Sequence, residues 1–136
     1  MTEESTRVVI LVVEDDPRVR ELLVEVLSDE GYDVIAAANG DEALTTITTV
    51  WPNLITLDLD LPGINGALIL QALRARDETR DLPVVIVSAK AHIAADVREQ
   101  AQAVVSKPFE LDDLLTIIKG FVPPPQRGSA AAEPDR

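Results

Sequence analysis

Hydrophobic positions along this chain fall into two patterns that alternate. Positions 8–13, Val-Val-Ile-Leu-Val-Val, are wholly apolar and mostly β-branched. A run without polar alternation predicts a strand buried on both faces, as in parallel sheets covered by helices. Asp16-Pro17 follows, an N-cap residue and a proline suited to the first helical position. Val19, Leu22, Leu23, Val26 and Leu27 then recur at helical spacing, and Gly31 is placed to cap that helix.

The cycle repeats. The pattern predicts strands over 33–38, 54–59, 84–88 and 103–106. Between them it predicts helices over 41–50, 67–76 and a thinly apolar 93–100, with a last amphipathic helix over 110–121. In the 67–76 helix Leu68, Ile69, Ala72 and Leu73 are expected to face inward; in the last helix Leu111, Leu114, Leu115 and Ile118 share one face. Five strand–helix units, (βα)5, predict an α/β fold with a parallel sheet covered on both sides. The pattern stops after Val122. Positions 123–136, opening on three prolines, read as a disordered tail or linker, leaving 7–122 as the domain.

A length of 136 residues with 46% hydrophobic content suits one domain with its own core. The absence of cysteine excludes thiol catalysis, cysteine zinc sites and disulfide scaffolds. The polar first seven residues lack the apolar core of a signal peptide, and no apolar stretch is long enough to span a bilayer. A cytoplasmic location is the expectation. The net charge of −12, from 24 acidic and 12 basic side chains, predicts repulsion from nucleic acid and from anionic membrane. Neither is expected as a partner of this chain alone.

Ligands of open α/β sheets bind at the carboxyl ends of the strands. Those ends carry Glu14 and Asp15, then Asp58 and Asp60, then Ser88, then Lys107. Three carboxylates crowded together call either for a raised pKa among them or for a cation. Oxygen ligands suit a hard cation such as Mg²⁺, which keeps several waters. A lysine and a hydroxyl beside the same carboxylates suit a transferring phosphoryl group, with Asp58 as nucleophile.

Four segments carry a family resemblance: Ile10-Leu-Val-Val-Glu-Asp-Asp-Pro17, Leu57-Asp-Leu-Asp-Leu-Pro-Gly-Ile-Asn-Gly66, Pro83-Val-Val-Ile-Val-Ser-Ala89 and Ser106-Lys-Pro-Phe109. In order and content they resemble the motifs of bacterial two-component response-regulator receiver domains, over about residues 7–121. The resemblance implies a flavodoxin-like strand order 2-1-3-4-5. It implies Asp58 as phosphoacceptor, Glu14 and Asp15 as the acidic pair, the Asp60 carbonyl as a further Mg²⁺ ligand, Ser88 as switch hydroxyl and Lys107 as phosphate partner before a cis Pro108. It also implies phosphorelay from a sensor histidine kinase or histidine phosphotransfer protein to a downstream protein target, as a monomer or weak dimer. Such a switch is not an enzyme beyond its own phosphorylation and dephosphorylation. The chain departs from the family in two places. Val104 stands where the family has an aromatic switch residue, and the stretch between Ser88 and Lys107 is about one helical turn short. These departures keep a degenerate receiver, acting without phosphorylation, as the alternative.

Other residues read more plainly. Asp16 is a helix cap, Gly63 and Gly66 are turn residues, His92 is an exposed helix-start residue and Trp51 packs in a loop. Asp58-Leu-Asp60 superficially matches the nucleophile motif of haloacid-dehalogenase-type phosphatases, but follows the third strand rather than the first. Asp60 and Lys90, each two residues beyond a site residue, are expected to pair across the site mouth.

Overall fold

A computed structural model describes residues 7–90 and 92–125. Its five strands are β1 (Val9–Val13), β2 (Asp33–Ala37), β3 (Leu54–Leu57), β4 (Val84–Ser88) and β5 (Ala103–Ser106). They form one parallel sheet in the order β2-β1-β3-β4-β5. Between and after them run α1 (Pro17–Asp29), α2 (Gly40–Val50), α3 (Gly66–Ala75), α4 (Ala95–Glu99) and α5 (Leu111–Phe121). The β1, β3 and β4 residues are buried throughout, which is what uninterrupted apolar runs require.

The pleat sends alternate residues to two cores. Leu11, Val13, Ile55, Leu57, Val84 and Ile86 pack against Ala43 and Ile47 of α2 and Ile69, Leu70 and Leu73 of α3. Ile10, Val12, Leu54, Val85, Val87 and Val105 pack against Leu23 and Leu27 of α1 and Leu114 and Ile118 of α5. Asp16 caps α1 by accepting from the Arg18 amide at 2.9 Å, and Asn39 caps α2 by accepting from the Glu42 amide at 2.9 Å. Gly31 has a φ of 105°, the left-handed conformation expected just beyond a helix.

Four local expectations change. Leu68 is 56% exposed, because the buried stripe of α3 runs through Ile69, Leu70 and Leu73. Trp51 is not loop packing: it ends α2 with a φ of 58° and is 48% exposed. The helix expected over 93–100 shrinks to the five residues of α4. Ile93 is instead buried in the α2/α3 core ahead of the helix, and Ala94 supplies no side-chain cap. Gly66 is the first residue of α3 rather than a turn, whereas Gly63 does turn, with a φ of 75°.

The Arg74 guanidinium, at the end of α3, bonds the carbonyls of Thr79, Leu82 and Gln100 and the Gln102 side chain at 2.8–3.2 Å. It thereby ties the loop before β4 to the turn before β5. Where α1 gives way to β2, the Tyr32 hydroxyl donates to the Val122 carbonyl at 2.6 Å, and Lys119 pairs with Glu30 at 2.6 Å. Burial pushes the Tyr32 hydroxyl up to about 12. Of the expected tail, Pro124 and Pro125 are half-buried, and residues 126–136 lie outside the described residues. No helix among the described residues is long and apolar enough to cross a membrane.

Candidate functional site

Parallel strands deliver their last residues to one edge, and backbone bonds continue past the strands there. The Glu14 amide donates to the Ala37 carbonyl at 3.0 Å, the Asp58 amide to Val13 at 3.0 Å, and the Lys107 amide to Ser88 at 2.9 Å. β3 stops at Leu57 rather than Leu59, and the chain bends at Leu59, one residue after the Asp58 amide has made its bond to the sheet. The Lys107–Pro108 peptide bond is cis.

Glu14, Asp15 and Asp58 each place a carboxylate oxygen within 4.8 Å of the others. Lys107 Nζ stands over two of them, 2.8 Å from Glu14 Oε1 and 3.0 Å from Asp58 Oδ2. Glu14 Oε2 also accepts from the Asp16 amide at 3.2 Å, and Asp58 Oδ1 from the Asp60 amide at 3.0 Å. The side chains of Glu14 and Asp58 are only 2% and 5% exposed, and that of Lys107 is 19% exposed. Asp15 differs: it is exposed, and its carboxylate has no hydrogen bond or ion pair among the described residues.

Burial pushes the Glu14 carboxyl above the ordinary glutamate range, against the pull of Lys107 and the Asp16 amide. Burial acts downward on the Lys107 ammonium, but its hydrogen bonds to Glu14 and Asp58 together outweigh that and raise it. The lysine is thus the internal counter-ion of an acidic cup. Of the three carboxylates, Asp15 is the one without a partner among the described residues.

The remaining expected residues stand around this cup rather than in it. Ser88 is buried and its Oγ accepts from the Lys90 amide at 3.1 Å. Asp60 turns its carboxylate to Lys90, 3.5 Å away, so the pairing across the mouth is present. Gly66 allows α3 to start against the end of β3, since a Cβ there would stand 2.6 Å from the Asp58 carbonyl oxygen. Val104 pairs with Ile86 in the sheet and packs half-buried on the α2/α3 core. His92 is exposed, ahead of α4.

Two features were not visible in the sequence. An open pocket of about 740 Å³ lies beside Lys107, lined by Val19, Leu22, Ala89, Pro108, Phe109 and Leu111 among others. It is assembled from segments far apart in the chain. Arg20 reaches back to the Glu14 and Asp15 carbonyls, and no spacing rule separates it from its exposed neighbour Arg18.

The family model described as the response regulator receiver domain matches residues 10–119. The chain is 35% identical over 119 residues to the DNA-binding response regulator MtrA of Mycolicibacterium smegmatis, an alignment covering 85% of this chain and 51% of that protein. It is 34% identical over 119 residues to sporulation initiation phosphotransferase F of Bacillus subtilis, covering 84% of this chain and 93% of the relative. The chain therefore spans about half the length of the DNA-binding relative. Among solved structures it resembles the response regulator TrrA of Thermotoga maritima in complex with Mg²⁺-BeF, with a TM-score of 0.78 and 34% identity over 85% of this chain and 99% of that one.

Proposed function

Because the chain belongs to the response regulator receiver domain family, we propose that it works as a phosphorelay switch whose acceptor is Asp58, loaded in a Mg²⁺-dependent reaction. The observation that carries the reading is the cup itself: a buried carboxylate with a lysine on one oxygen and two further carboxylates within 4.8 Å. The donor set fits a hard divalent cation, being all oxygen, with Asp15 exposed and without a partner among the described residues. Glu14, Asp15 and Asp58 would hold Mg²⁺ at this edge, and the Asp60 carbonyl is the further candidate ligand. When bound, the cation supplies positive charge next to the phosphoryl oxygens.

This chain's own residues do the rest. An Asp58 oxygen attacks the phosphorus of a phosphohistidine, the P–N bond breaks, and the imidazole keeps the bonding pair and is reprotonated from water. The product is an acyl phosphate on Asp58. Lys107, already 3.0 Å from Oδ2, offsets the charge that accumulates on the transferred group. The Ser88 hydroxyl can donate to a phosphoryl oxygen once it turns from the Lys90 amide, which frees the start of the loop to α4. Val104 stands in β5, so no aromatic ring at that position follows the movement.

The phosphodonor is a histidine kinase or phosphotransfer protein, docking on the apolar pocket of Leu22, Pro108, Phe109 and Leu111 beside Lys107. The downstream target is a protein, and the setting is the cytoplasm. Turnover of an external substrate is not part of this reading, and no observation favours a phosphorylation-independent module.

Incubation with acetyl phosphate and Mg²⁺ is expected to add the mass of one phosphoryl group, with no gain in chelator. Unchanged mass under saturating Mg²⁺ would exclude the reading. The Asp60–Lys90 pair is exposed, and such pairs contribute about 0–1 kcal/mol. Lys90→Ala is therefore expected to speed loss of the phosphoryl group by up to about fivefold, through easier water access. Equal decay rates in variant and wild type would count against that role.

A further inference from the structure

We propose that Arg20 is a positioning residue for the cation site: it fixes the backbone that presents the Asp15 carboxylate. The inference rests on the reading of Glu14, Asp15 and Asp58 as the Mg²⁺ edge.

Asp15 is the carboxylate of the cup that no side chain or amide holds among the described residues. Its oxygens are located by its backbone and one rotamer choice. A metal ligand must stand within about half an ångström of its working position, so what holds that backbone matters. The 14–16 segment is tied from several sides. The Asp16 amide donates to Glu14 Oε2 at 3.2 Å, Asp16 Oδ1 accepts from Arg18, and the Arg20 amide donates to the Asp16 carbonyl at 2.9 Å. The carbonyls of Glu14 and Asp15 themselves face the half-buried Arg20, whose Nη1 donates to them at 3.0 and 3.3 Å. A planar guanidinium can brace two successive carbonyls at once, while leaving the carboxylates of the same residues for another cation.

Coulomb's law and positioning make opposite demands here. Arg20 is a positive charge beside a site for a divalent cation. Removing it on charge grounds alone strengthens Mg²⁺ binding. Removing it as a brace weakens binding, because Asp15 then has to be ordered at the expense of the binding free energy. Arg18 provides the comparison. It lies on the same helix, its side chain is 92% exposed, and among the described residues its guanidinium pairs with Asp16 alone, at 3.6 Å.

The experiment is a Mg²⁺ titration of wild type, Arg20→Gln and Arg18→Gln, followed by amide NMR shifts, with thermal unfolding of each protein. Arg20→Gln is expected to raise the Mg²⁺ dissociation constant roughly tenfold, as loss of residues that orient metal ligands does. Arg18→Gln is expected to leave it unchanged or slightly lower. Unchanged or tighter binding in Arg20→Gln would overturn the inference while leaving the cation site standing. Absence of Mg²⁺ binding in the wild type would overturn the site and the inference together. Should Arg20→Gln not fold, the side-chain N–H protons of Arg20 in the wild type decide: protection from water exchange before Mg²⁺ is added supports the brace, and free exchange refutes it.

Discussion

Lys107→Met is expected to destabilise the protein at pH 7 by about 3–5 kcal/mol, the cost of leaving buried charge without its partner. Lys107 is within 3.0 Å of both Glu14 and Asp58, whose side chains are 2% and 5% exposed. Without the ammonium, two carboxylates face each other in a poorly solvated cup. The pH dependence has a definite sign. Burial raises Glu14, so the folded state binds that proton more tightly than the unfolded chain does. The favourable contribution of this group is complete below its ordinary value of 4.5 and is lost as pH rises through the higher folded value. Removing Lys107 removes the hydrogen bond that opposes this rise. The deficit of the variant should therefore shrink as pH falls from 7 toward 4.5. Lys107 itself is raised, so its contribution persists below 10.5 and is lost only above its folded value. Chemical denaturation at pH 7 and pH 5 measures both effects. A deficit that does not change between them would contradict the description of Glu14.

Gly66→Ala is expected to cost about 3 kcal/mol and to displace Asp58. The new Cβ would stand 2.6 Å from the Asp58 carbonyl oxygen and 2.7 Å from Leu59 Cα. Both are backbone atoms, so no rotamer change relieves the overlap, and overpacking of this kind sits at the high end of about 1–3 kcal/mol. Either α3 moves away from the sheet or the Asp58–Leu59 backbone moves, carrying Asp58 within the cup. Phosphoryl uptake should fall along with stability. Gly120 gives the contrast, since a Cβ there meets nothing within 4 Å. Gly120→Ala is expected to stabilise α5 by up to about 1 kcal/mol through helix propensity alone. Equal unfolding midpoints for the two variants would show that the close approach at Gly66 is unimportant.

The strands were readable because β1, β3 and β4 are buried on both faces, so composition alone marks them. Their ends were readable because polar residues interrupt apolar runs there, and those ends hold Glu14, Asp58, Ser88 and Lys107. What could not be read depends on neighbours distant in sequence. Leu68 looked like core, but the direction of the α3 stripe is set by how that helix lies on the sheet. Ile93 looked like helix, but the core holds it ahead of α4. Gly66 looked like a turn, yet its need for glycine comes from the Asp58 backbone eight positions earlier. The resemblance supplied the role of Lys107, and the geometry adds that this lysine pairs with Glu14 as closely as with Asp58.

The most direct measurement is chemical trapping of the phosphorylated residue. After acetyl phosphate and Mg²⁺, borohydride reduces an acyl phosphate to the corresponding alcohol, and peptide mass spectrometry then locates the reduced side chain. The expected result is homoserine at position 58 alone, and no reduced residue in Asp58→Ala. Reduction at Asp15 or Asp60, or label retained in Asp58→Ala, would contradict Asp58 as the acceptor.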